Sequence, residues 1–103
     1  MKKTFPLHVP GKADPRVVDA IKHDVRKYVK RERRKILPEG FTLWLFDCRV
    51  GATPDTAEPV ELDRTSAAID AVVAAEGSTH VYVEILARAG NRPPRPTLEA
   101  ESA

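Results

Sequence analysis

Between Asp14-Pro15 and Pro38-Glu39-Gly40, apolar residues recur at helical spacing along one side of the chain, and this pattern limits the available folds more than any other feature. Val17, Val18, Ile21, Val25, Tyr28, Val29 and Ile36 fall within about 120° of one face at 3.6 residues per turn. Asp14 is read as an acidic cap, and Pro15 sits at the first helical position, where its missing N–H costs little. Pro38 disfavours helical geometry at Leu37 and turns the chain. The spacing predicts a helix over residues 15–36 whose apolar side must be covered by the rest of the protein.

The opposite side of that helix is strongly basic. Residues 16–35 carry nine Lys or Arg against Asp19, Asp24 and Glu32, a local balance of +6. The remaining 83 residues hold eight bases and twelve acids, a balance of −4. Like charges four apart on a helix repel by roughly 0.2–0.5 kcal/mol per pair. Five such pairs occur here: Lys22/Arg26, Arg26/Lys30, Lys30/Arg34, Lys27/Arg31 and Arg31/Lys35. Stability alone does not favour that arrangement, and an anionic partner is the simplest reason to keep it.

The other elements follow from alternation and breakers. Thr4–Val9 alternates as a half-buried strand with Phe5, Leu7 and Val9 inward, and Pro6, which has no N–H, places it at a sheet edge. Phe41–Val50 is the most apolar run and reads as a central strand covered on both faces, with Phe41, Leu43 and Leu45 on one side and Trp44, Phe46 and Cys48 on the other. Residues 51–61 read as a polar, acidic loop. A second helix begins at Asp63 or Thr65 and runs to about Glu76, with Ile69, Val72 and Val73 apolar and Gly77 as its cap. His80–Ala87 is the last strand, with Val81, Val83 and Ile85 inward and His80, Tyr82 and Glu84 outward. From Gly90 three prolines and few large apolar residues predict a disordered tail over 90–103, following a single compact α/β domain over 1–89.

The element order β-α-β-α-β, joined by right-handed crossovers, predicts a two-layer α/β sandwich. Its sheet is three-stranded and mostly parallel, with the 41–50 strand in the middle and both helices on one face. The other face of the middle strand is left short of cover, which makes homodimerisation through it an expectation.

At 103 residues, with 42% apolar and 31% charged, the chain suits one soluble domain. Lys2 and Lys3 resemble the start of a signal peptide, but two prolines and a histidine follow in place of an apolar core. No run approaches the roughly 18 apolar residues that span a bilayer. The lone Cys48 cannot form an internal disulfide, so a cytoplasmic location is expected.

Four segments carry a resemblance: KKTFPL, RVVDAIKHDVRKYVKRERRKILPEG, FDCRVG and VYVEILARAG. Together they resemble a family of small bacterial proteins of unknown function, over about residues 2–90. The resemblance implies a compact cytoplasmic α/β domain and carries no activity, cofactor or catalytic residue.

The residues themselves point to a binding surface. Arg26, Lys30 and Arg34 form one ridge and Lys27 and Arg31 its neighbour, suited to RNA or another polyanion through phosphate contacts. Arg33 and Lys35 are peripheral. Glu32 marks where the apolar stripe leaves the core or pairs with a nearby arginine. Cys48 shares its side with Trp44 and Phe46 and reads as packing, and Trp44 as core or dimer interface. His8, His80 and Glu84 would meet only if the first and last strands were neighbours, and no metal-ligand spacing supports them. The expectation is a non-enzymatic protein without cofactor or metal.

Overall fold

The computed structural model describes residues 1–91. Its elements run β1 (Lys2–Pro6), α1 (Asp14–Arg33), β2 (Leu43–Gly51), β3 (Glu58–Val60), a 3-10 turn (Leu62–Arg64), α2 (Thr65–Ala74) and β4 (His80–Gly90). They build one four-stranded sheet in the order β1-β4-β2-β3, antiparallel at every pairing.

The expected three-stranded, mostly parallel sheet is therefore corrected. The cause lies in the segment read as a polar loop, where Glu58–Val60 pairs back onto β2, with Cys48 opposite Val60 and Val50 opposite Glu58. That extra strand reverses the chain before α2. The final strand then runs opposite to β2 and enters between β1 and β2. The strand placed centrally by sequence is still interior, but β4 shares the centre. Each β-α-β unit is split, since β4 separates β1 from β2 and β2 separates β3 from β4.

Pairing register decides which residues meet the helices. Cys48 lies opposite Ile85 and Val50 opposite Val83, while Phe5 lies opposite Val81. These side chains join Val17, Val18, Ile21, Val25 and Val29 of α1 and Ile69 of α2 in a single core. Both helices thus pack on the same sheet face. Val81, Val83, Ile85 and Ile69 are fully buried, each contributing about 1.5–3 kcal/mol over exposure.

By strand alternation Leu43, Leu45, Asp47 and Arg49 of β2 face the other way, beside Glu84, Leu86 and Arg88 of β4. Leu86 is 42% exposed, and Asp47 accepts a charged hydrogen bond from Arg88 Nε at 2.7 Å. No helix of the described residues covers this face. At its upper end the chain folds back on itself. A side-chain Cβ at Gly51 would sit 2.6 Å from Ala57 Cα, and Arg49 Nη2 donates to the Ala57 carbonyl at 2.8 Å.

Both outer strands are poor templates for further pairing. β1 is the edge that Pro6 requires and carries exposed Lys2 and Lys3, while β3 is three residues long and contains Pro59.

Helix α1 stops earlier than its apolar periodicity suggests. Arg34 is the C-cap, and the amides of Arg34 and Lys35 bond to the carbonyls of Arg31 and Glu32, tightening the last turn. The Lys35 carbonyl accepts from Trp44 Nε1 at 3.0 Å, which fixes the helix exit to the start of β2. Ile36 lies beyond the helix, 94% exposed. At the other end Ala13 is the N-cap without a side-chain bond, and Asp14 lies in the first turn with its carboxylate 3.1 Å from His8 Nδ1. Asp14 is therefore not the cap.

The last strand reaches Gly90, and Asn91 Oδ1 accepts from the Thr42 amide and hydroxyl. Residues 92–103, most of the segment read as a disordered tail, lie outside the described residues.

Candidate nucleic-acid interface

The interface is built by the solvent side of α1. With Val25, Tyr28 and Val29 turned to the core, helical geometry places residues 26, 30 and 34 in one row and 27 and 31 in the next. Arg26, Lys27, Lys30, Arg31 and Arg34 are all exposed. Four ion pairs occur among the described residues: His8–Asp14, Lys22–Asp70, Lys35–Glu32 and Arg88–Asp47. None takes a cation from the two rows, so none of those five charges forms an ion pair among the described residues, although the Arg31 charge acts on Glu32.

Neighbouring charges are treated differently. Lys22, at the start of the basic side, is held 2.7 Å from Asp70 and so is spent on joining α1 to α2. Lys35 pairs with Glu32, which also accepts from the Tyr28 hydroxyl at 3.3 Å. Glu32 thus pairs with a lysine, not with an arginine. The Lys35 hydrogen bond holds the Glu32 carboxyl below the ordinary carboxylate range against desolvation, aided by the Lys35 charge, the Tyr28 hydroxyl and the Arg31 charge. Arg31 lies 5.7 Å from the Tyr28 ring centroid, and Arg33 lies 5.4 Å from that of Phe46. Such ring contacts orient a guanidinium without neutralising it.

A groove of about 620 Å³ runs beside the first row, between the C-terminal half of α1 and the entry to α2. Val25, Val29 and Leu62 form its apolar lining, and Arg26, Lys30, Arg33 and Arg34 stand along the α1 side. Asp63, Thr65 and Ser66 make the opposite wall. The sequence assigned no binding role to Leu62, Asp63 or Ser66, and Asp63 entered only as a possible helix start. The available signal was Leu62 itself, a large apolar residue between Glu61 and Asp63 in a polar stretch.

The remaining candidates are dispersed. His8 bonds Asp14, His80 Nδ1 bonds the Thr79 hydroxyl, and Glu84 accepts from Tyr82 at 2.8 Å. β1 and β4 are neighbours, with Pro6 opposite His80, yet His8 lies past the end of β1. No group of three or more His, Cys, Asp or Glu among the described residues is placed to hold a metal ion. Cys48 is buried, and burial, with the Asp47 charge nearby, pushes its thiol up against a weaker opposing hydrogen bond with Thr65. That keeps sulfur in the unreactive thiol form. Trp44 is half-buried and tied to the α1 exit.

No helix of the described residues is long and apolar enough to cross a membrane. No match was found among curated proteins or solved structures. Residues 1–96 match a protein family of unknown function, DUF6172, and by that coverage the chain belongs to it.

Proposed function

We propose that this chain is a non-enzymatic cytoplasmic protein that binds RNA or another polyanion through the basic face of α1. The observation that carries this reading is the two rows of exposed cations, Arg26, Lys30 and Arg34 beside Lys27 and Arg31, none of which forms an ion pair among the described residues. Lys22, Lys35 and Arg88, by contrast, are each paired. Arginines on such a row fork to phosphate oxygens, and contacts of this kind position a nucleic acid without reading its sequence. The test is substitution of Arg26, Lys30 and Arg34 together by Glu. Folding should persist, because none of the three enters the core, and binding to RNA at low salt should vanish. Binding that survives the triple change removes α1 as the site.

A second reading is homodimerisation through the open face of the sheet. It is favoured by Leu45 and Leu86 on a face that no helix of the described residues covers, beside the Asp47–Arg88 pair. A two-fold axis there would let both copies exchange those charges. Light scattering during size exclusion discriminates: a dimer that persists in high salt supports this reading, and a monomer at all concentrations removes it.

A further inference from the structure

The groove beside the first basic row deepens the proposed function and rests on it. A phosphate backbone lying along Arg26, Lys30 and Arg34 would satisfy the cations but leave the apolar floor of the groove unused, where half-buried Leu62 meets the small exposed edges of the core residues Val25 and Val29. Those three residues offer nothing to a charged phosphodiester and everything to a flat, weakly polar ring. The opposite wall adds a second mark. Asp63 lines the same groove as four cations, yet it forms no ion pair among the described residues. A carboxylate repels phosphate, but it accepts hydrogen bonds from the N–H groups on a base edge. Ser66 stands on the same wall and can donate or accept.

We infer that the groove receives one unpaired base of the bound RNA, laid against Val25, Val29 and Leu62 with its polar edge toward Asp63 and Ser66, while the flanking phosphates rest on the Arg26, Lys30 and Arg34 row. The preferred partner is then single-stranded or bulged RNA, because a continuous duplex keeps its bases stacked and inaccessible to such a slot. No aromatic ring lines the groove, so the base is held by apolar contact and edge hydrogen bonds and not by stacking. Burial of about 50 Å² of a base on this lining corresponds to roughly a tenfold gain in affinity.

The test uses the full chain and three fluorescently labelled RNAs of equal length: a single strand, the same strand annealed to its complement, and the single strand with central abasic residues. The inference predicts that wild type binds the single strand about tenfold more tightly than either of the others. Leu62→Gln should pull single-strand affinity toward the abasic level and leave duplex affinity unchanged, while Asp63→Asn, which weakens the acceptor and removes a charge that repels phosphate, should raise duplex and abasic affinity and so narrow the single-strand preference. Asp63 is exposed and outside the core, so Asp63→Asn keeps the test valid if Leu62→Gln does not fold. Equal affinity for single strand and duplex, or a preference that both variants retain, overturns the groove inference while the basic row stands. An alkyl phosphate that displaces the single strand at lower concentration than the abasic RNA does overturns it too, by giving the groove to an acyl chain. Loss of binding to all three RNAs in wild type overturns the basic-row reading and the inference with it.

Discussion

Replacing Arg26, Lys30 and Arg34 together by alanine removes one ridge of the basic face without touching the apolar side of α1. Its consequence can be worked from the structure. Five exposed cations without carboxylate partners, all engaged with phosphates, give a log–log salt slope of about −3.5 on single strands, from roughly 0.7 per phosphate. Raising salt from about 50 to about 200 mM then weakens wild-type binding roughly 130-fold. The variant keeps Lys27 and Arg31, which gives a slope of about −1.4 and a loss of only about sevenfold over the same range. Stability should change little. Relief of three like-charge pairs returns about 0.6–1.5 kcal/mol, and lost favourable charges at the helix C-terminus cost a similar amount. Fluorescence anisotropy of a labelled RNA across that salt range reads the slope, and circular dichroism confirms the fold. An unchanged slope in the folded variant would show that the phosphates are met elsewhere.

Three further outcomes follow from packing and titration. Gly51→Val should cost about 1–3 kcal/mol in urea unfolding, because its Cβ collides with the Ala57 backbone; a change under about 0.5 kcal/mol contradicts the close approach described at that turn. Glu32→Gln should destabilise the protein at neutral pH. The folded-state carboxyl is held low by Lys35, so the stabilisation is present above the ordinary Glu range and disappears as pH falls through the folded value. The gap between wild type and Glu32→Gln should therefore close as the solution is acidified below the ordinary Glu range, and a constant gap refutes the ion pair. Buried Cys48, whose thiol is pushed up by burial, should react with iodoacetamide no faster than the protein unfolds; alkylation at the rate of a free thiol would place it on the surface.

Features governed by local physics were legible in the chain. Pro6 marked an edge strand, the apolar stripe from Val17 to Val29 marked α1, and alternation separated Val81, Val83 and Ile85 from Tyr82 and Glu84. The five cations were visible for the same reason, since helical spacing alone aligns them. The topology was hidden because it turned on three residues. Glu58-Pro59-Val60 has a proline, an acid and one β-branched residue, which resembles a loop, yet pairing with β2 turns it into the strand that reverses everything after it. Ile36 kept the helical period but falls past the exit set by Trp44 and Pro38, where tertiary contact overrides spacing. Glu32 sits on the apolar stripe, and its pairing with Lys35 rather than an arginine is set by the tightened last turn. The groove was hidden too, because Leu62 stands out in a polar stretch but meets α1 only through the packing of α2.

The most direct measurement of the polyanion site is a titration of 15N-labelled protein with single-stranded RNA at low salt, followed by amide shifts along the chain. The account predicts shifts concentrated in residues 25–35 of α1 and 62–66 at the entry to α2, with the open sheet face silent. Shifts confined to residues 43–49 and 84–88 on that face, with α1 unmoved, would contradict it.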